Sequence, residues 1–215
     1  MQDFTIVTGM IIKAVPIGEY DRRLVLLTKE KGKITVFARG ARKPNSRFVA
    51  STNLFCFGTF KTYAGRDAYT LAEAEISNYF EDLRMDFEGA YYGMYFLEIA
   101  DYYTRENNDE RQMLKLLYQS LRAISVPALS NQLVRAVYEI KAVVVNGEFP
   151  GIPEGKNYLP STVYAVDYIM ESSIEKLYTF TVTEEVLKEI KTISRKICKM
   201  CLQTGFKSLE ILDTL

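Results

Sequence analysis

The sequence predicts an α+β protein: a five-stranded closed barrel in residues 1–80, then a helical bundle in residues 81–215. Three observations carry this. The first 76 residues break into short apolar runs with period-two alternation, separated by turn residues. From Phe87 onward the apolar residues recur at helical spacing. The charge is also sorted: residues 1–80 hold 12 cations and 7 acids, although the whole chain balances 27 Lys and Arg against 27 Asp and Glu.

The strands follow in order. Thr5–Val15 alternates at Ile6, Thr8, Met10 and Ile12, and Pro16–Tyr20 carries turn chemistry. Asp21–Thr28 is the second strand and Lys33–Ala38 the third, with Ile34, Val36 and Ala38 on one face and Thr35, Phe37 and Arg39 on the other. Leu54–Tyr63 and Ala68–Ile76 complete five short strands, a number and spacing that suit a small barrel.

The helices read as follows. Phe87–Tyr103 is apolar nearly all round, as in a helix buried in a bundle. Met113, Leu116, Leu117, Leu121 and Ile124 form one stripe; Leu133, Val137, Ile140 and Val144 form another. Val186, Ile190, Ile193, Ile197 and Cys201 make a third, on a helix starting after Thr183 with Glu184 and Glu185 in its first turn. Gly205 is the expected stop, and Ser208 the expected cap of a last helix through Leu215. Gly147–Gly155 is a breaker-rich loop, and Tyr164–Leu177 is expected to supply one or two helical turns.

The charge pattern is the main functional signal. Lys31–Arg66 contains no acid and eight cations, four of them (Arg39, Arg42, Lys43, Arg47) within nine residues directly after the third strand. A strand feeding a cationic loop holds positive charge in place for a polyanion, with nucleic acid the leading candidate. Arginine's planar fork suits phosphate. Gly40 lets the backbone bend close to a ligand and Pro44 restricts the loop. Arg22, Arg23, Lys33 and Lys61 lie on neighbouring strands.

Other chemistry is thinly represented. Without histidine, Ser–His and Cys–His catalysis are excluded, and neither a phosphate loop nor a dinucleotide fingerprint occurs. Cys198-Lys-Met-Cys201 has the spacing of a metal knuckle but lies inside a helix with no second pair, so both cysteines read as core-facing; Cys56 reads as core. Glu73 and Glu75 alternate on a strand and read as solvent-facing. Three cysteines make no disulfide framework, no stretch matches a membrane span, and the first residues lack a signal-peptide pattern, so a cytoplasmic protein is expected, nucleoid-associated if the cationic loop binds DNA.

Several segments together resemble the bacterial recombination mediator family RecO. They are Gly18-Glu-Tyr-Asp21-Arg22, Thr28-Lys-Glu-Lys-Gly32-Lys, Ala38-Arg39-Gly40-Ala41-Arg42 followed by Ser46-Arg47, Ala72-Glu73-Ala74-Glu75, Asn146-Gly147-Glu-Phe-Pro150 and Gly205-Phe-Lys207-Ser208-Leu209. The resemblance implies an N-terminal OB-fold and a C-terminal helical domain. It implies binding of single- and double-stranded DNA, annealing of complementary strands, and help in loading RecA. The implied partners are RecR and the acidic C-terminal tail of single-stranded-DNA-binding protein. Many relatives carry a four-cysteine zinc site in the segment corresponding to residues 147–182; here that segment has neither Cys nor His. Packing by Tyr158, Tyr164, Tyr168, Ile169 and Tyr178 is expected to take its place.

An OB-fold grips single strands with a cationic groove and stacking rings. The candidate interface is therefore Arg22, Arg23, Lys33, Arg39, Arg42, Lys43 and Arg47, with Phe37 and Phe48 as stacking rings. The acidic helical part suits protein partners, and Arg122, Arg135 and Lys141 are candidate edges of a pocket for an acidic tail. The competing readings are a protein-interaction module whose basic loop meets an acidic partner, and an RNA-binding OB protein.

Overall fold

The computed structural model describes residues 4–154 and 157–214. Gly155 of the breaker-rich loop, the end of the last helix at Leu215, and the first three residues lie outside that range. The chain divides into two compact units, Met1–Glu81 with Ala100–Leu114, and Asp82–Ile99 with Lys115–Leu215.

The first unit is a closed barrel of β1 (Phe4–Ile17), β2 (Asp21–Thr28), β3 (Gly32–Ala38), β4 (Phe57–Ala64) and β5 (Tyr69–Asn78), in the order β1-β2-β3-β5-β4 with β4 returning to β1. Neighbours are antiparallel except β3 and β5, which run parallel and meet only at Val36–Tyr69 and Phe37–Thr70. Val7, Ile11, Leu24, Leu26, Ile34, Val36, Phe60 and Leu71 fill the interior. The inward set on β3 is the alternating one, Ile34, Val36 and Ala38.

β1 departs from the expected phase. Ile6 faces outward at 54% exposure and Val7 points inward, while Met10, Ile11 and Ile12 are all buried. The pairing register with β2 shifts between Ile11 and Lys13, a bulge that changes which side chains face the core. Gly9 and Gly58 sit opposite each other on β1 and β4. A Cβ on either would lie 2.2 Å from the Leu27 carbonyl oxygen or 2.1 Å from that of Glu75. The tight wall of a small barrel thus demands glycine at both. β4 begins at Phe57 rather than Leu54, because Phe55 takes φ +70° and interrupts the extended chain.

Residues 100–114 complete this unit. Lys33 N–H donates to the Arg105 carbonyl and Asn107 N–H to the Lys31 carbonyl, so the chain after α2 (Phe87–Tyr103) runs along the start of β3. The short α1 (Glu81–Met85) precedes α2.

The second unit is helical. Within it, the Phe96 ring of α2 stacks on Tyr138 at 4.2 Å, and Tyr138 Oη donates to the Phe96 carbonyl. α3 (Arg111–Ile124) places Leu116, Leu117 and Leu121 inside. α4 (Asn131–Val145) is buried from Leu133 to Val143 apart from half-buried Arg135, and packs on α6 (Glu184–Cys201). Thr183 caps α6, its hydroxyl accepting from Val186 N–H.

The segment expected to compensate for the missing cysteines is more ordered than one or two turns. α5 (Pro160–Glu171) runs for 12 residues with Pro160 in its first turn, followed by a 3₁₀ turn at Ile174–Lys176. Ile169, Ile174 and Leu177 are buried, and Tyr178 Oη lies 2.5 Å from Ser120 Oγ. Tyr158 and Tyr168 are half-buried. Tyr164 corrects the expectation: at 73% exposure it packs on nothing that would hold the segment. At the other end, α6 stops at Cys201, before Gly205. The last helix is α7 (Lys207–Leu212), with Phe206 at its capping position, and Ser208 lies within it, bonded to Glu98 instead of capping. No described helix is long and apolar enough to cross a membrane.

Candidate nucleic-acid interface

The outer faces of β1, β2 and β3 set a row of side chains by register. Val15 pairs with Arg23, Arg23 with Phe37, and Phe37 with Thr70 of β5. Side chains two residues apart share a face, so Ile17 and Arg39 extend the row. Val15, Ile17 and Phe37 are 42%, 38% and 37% exposed, large values for apolar side chains on a small barrel. Arg23, across from Phe37 on β2, and Arg39, two residues along from it, are both exposed. The result is a strip that sets two arginines next to one exposed ring.

The basic loop leaves β3 at Gly40, whose φ of +63° turns the chain. Gly40 N–H donates to Asp21 Oδ1 at 2.7 Å, and Arg42 N–H to the Tyr20 carbonyl at 2.8 Å, so the loop is pinned against the β1–β2 turn. Arg42 Nη1 adds a 3.2 Å bond to the Glu19 carbonyl. Lys43 lies 5.6 Å from the Tyr20 ring centroid. Arg47 covers the Phe48 ring at 4.9 Å and donates to the Ala72 carbonyl at 2.6 Å. Carbonyls and rings orient these cations without cancelling their charge. Among the described residues none of Arg23, Arg39, Arg42, Lys43 and Arg47 makes an ion pair with a carboxylate.

Three of the expected residues are otherwise engaged. Arg22 sits on the inward register of β2, where its Nη1 donates to the Thr52 carbonyl, Thr52 Oγ1 and Asn53 Oδ1 at 2.8–3.0 Å; it ties the loop to the barrel mouth. Lys33 donates to Asp101 Oδ1 at 3.0 Å and to its backbone carbonyl at 2.6 Å, and Lys13 takes the other carboxylate oxygen. Phe48 belongs to the barrel core at 9% exposure, under the Arg47 guanidinium, and offers no free face for a base. Sequence position alone could not separate these from Arg23 and Phe37, because burial at the barrel mouth depends on which way the loop folds back.

The helical unit redistributes the second set. Arg122 is exposed on α3. Lys141 is buried and donates to the Met170 and Ser172 carbonyls at 2.7 and 2.8 Å, closing the C-terminal end of α5. Arg135 lines a cavity of about 420 Å³ with Tyr95, Arg195, Lys199, Leu202, Phe206 and Leu209. Its Nε donates to buried Glu139 at 2.8 Å. Burial alone would weaken the guanidinium's hold on its proton, but the Glu139 carboxylate outweighs it and pushes the Arg135 pKa up. Arg195 and Lys199 were missed; their one signal is position on the rim of the α6 stripe. Among the described residues no group of three or more Cys, Asp or Glu is placed to hold a metal ion. Burial pushes the Cys198 thiol pKa up, which keeps it protonated.

A closed barrel with this strand order, ahead of a set of packed helices, defines an OB-fold protein with a helical C-terminal domain. Residues 1–80 match the family "Recombination protein O N terminal", and residues 84–152 match "Recombination protein O C terminal". The DNA repair protein RecO of Acetivibrio thermocellus is 28% identical over 97% of this chain and 96% of its own. That of Clostridium novyi is 25% identical over 96% and 93%. The Symbiobacterium thermophilum protein of the same name is 32% identical over 68% of this chain and 58% of its own. The chain belongs to the RecO family.

Proposed function

We propose that this protein is a non-enzymatic DNA-repair mediator that binds single- and double-stranded DNA, anneals complementary strands, and helps load RecA. The observation that carries this is the strip Arg23–Phe37–Arg39, continued by Arg42, Lys43 and Arg47, with no carboxylate partner among the described residues. A base stacks on Phe37 while the flanking guanidinium groups take its phosphates. Neutralising two strands at once lowers their mutual repulsion, the physical basis of annealing without a nucleotide cofactor. Relatives named for DNA repair support the same reading.

RecR and the acidic C-terminal tail of single-stranded-DNA-binding protein are the proposed partners. The cavity lined by Arg135, Arg195 and Lys199 over Tyr95, Leu202 and Phe206 supports a short acidic peptide with an apolar end: Glu139 and Asp213 also line it and pair with Arg135 and Arg195, so the peptide's carboxylates would meet Lys199 and compete with Asp213 for Arg195. A strand-annealing assay with bare and coated single strands tests the whole proposal; failure to accelerate annealing on either would overturn it. Calorimetry with an acidic tail peptide tests the cavity separately, with binding expected and lost in Arg195→Ala.

A further inference from the structure

We propose that the stretch Thr179–Thr183, between the 3₁₀ turn and α6, is a docking edge for an extended, basic segment of a partner protein that adds to it as a β-strand. This goes beyond the DNA-mediator reading and uses none of its residues.

The stretch is Thr-Phe-Thr-Val-Thr, a β-favouring composition with strict alternation. Thr179, Thr181 and Thr183 are exposed while Phe180 and Val182 are half-buried, the two-sided pattern of a strand. Yet it belongs to no strand. Among the described residues, the N–H and C=O groups of Phe180, Thr181 and Val182 make no hydrogen bond, whereas Thr179 N–H closes the turn that follows the 3₁₀ residues. Three consecutive residues thus present an unpaired backbone edge, the template for strand addition.

The stretch is held at both ends. Thr179 Oγ1 donates to the Lys176 carbonyl at 2.8 Å, and Tyr168 Oη lies 3.2 Å from that hydroxyl. The Phe180 ring packs edge-on against Tyr168 at 5.2 Å. Thr183 is fixed as the α6 cap. An edge already fixed at both ends loses less entropy on pairing than a free one. Beside it runs a trough of about 440 Å³ whose walls include Tyr164, Ala165, Tyr168, Phe180, Val182 and Val186. Alternate side chains of an added strand would enter it, and Tyr164 at 73% exposure gains cover.

Charge selects the occupant. Glu184 and Glu185 follow the edge directly in the first turn of α6, and Asp167 and Glu171 are exposed on α5, whose Tyr164, Ala165 and Tyr168 line the trough, against Lys176 and Lys188. None of these four acids makes an ion pair among the described residues. A net-acidic rim favours a lysine- or arginine-bearing segment and disfavours a second copy of the same edge.

The test uses the full-length protein and a synthetic peptide of alternating Thr and Val flanked by lysines. In hydrogen-exchange mass spectrometry the amides of residues 180–182 are expected to exchange rapidly in the free protein and about tenfold more slowly with saturating peptide. A version N-methylated along one edge, and a glutamate-flanked version, should fail to protect. Thr181→Pro and Tyr164→Ser should each weaken binding about tenfold, the latter without moving the thermal midpoint. No slowing at millimolar peptide, or equal protection by the N-methylated peptide, overturns the proposal. So does protection that rises with protein concentration alone, which would mean a second copy is the occupant.

Discussion

At the scale of single residues, neighbouring arginines on one strand do different work. Arg23 faces solvent beside Phe37, whereas Arg22 turns to the barrel mouth and bonds Thr52 and Asn53. The double variant Arg23→Ala with Arg39→Ala is expected to reduce the slope of log K against log[salt] for single-stranded DNA by about 1 to 1.5, at unchanged thermal midpoint. A fluorescence-anisotropy titration at several salt concentrations reads this directly. Arg22→Ala should do the reverse. It loses charge-assisted bonds in a half-buried site, costs about 1–3 kcal/mol in a denaturant titration, and leaves the salt slope nearly intact. The cationic character of the site was legible in the acid-free stretch Lys31–Arg66. The division of labour between Arg22 and Arg23 was not, because alternation says that they face opposite ways but not which mouth groups await the inward one.

At the scale of elements, the last turn of α2 matters for the barrel. Asp101 receives Lys13 at 2.6 Å and Lys33 at 3.0 Å. Burial acts to raise its pKa, but the two ammonium groups outweigh burial and hold it below the ordinary carboxylate value. With the folded pKa depressed, the stabilisation is present above the unfolded value of about 3.9 and is lost as pH falls through the folded one. Urea midpoints measured down an acid series should drop below that value, and Asp101→Asn should be less stable at neutral pH with a flatter acid limb. Elsewhere, Thr183→Ala removes the α6 cap and should cost about 1 kcal/mol in chemical denaturation. Helices with a strong apolar stripe or a capping threonine were legible in the sequence: Phe87–Tyr103 is found to the residue, and α6 starts where Thr183 indicates. α5 was underestimated because its own pattern is weak; Val166 and Ile169 are buried by α4 and α6, and Lys141 caps its end from another helix.

At the scale of the molecule, opposite charge sorting divides the roles. Arg23, Arg39, Arg42, Lys43 and Arg47, none of them paired with a carboxylate among the described residues, lie together on the barrel unit, so photo-crosslinking of bound single-stranded DNA is expected to label β2, β3 and the loop from Arg39 to Arg47 far more than α3 through α6. Dominant labelling of the helices would refute the proposed interface. By itself the sequence determined the barrel-then-helices order, the strand periods, the principal helices and the cationic loop, because hydrophobic period and charge are local properties of the chain. Only the tertiary structure decided that Lys33 is spent on Asp101, that Phe48 lies under Arg47 in the core, that Arg195 and Lys199 rather than Lys141 rim the cavity, and that the backbone of residues 180–182 stands unpaired. Each of these depends on a partner far away in sequence, and whether a side chain meets solvent or another residue is settled only when the chain closes on itself.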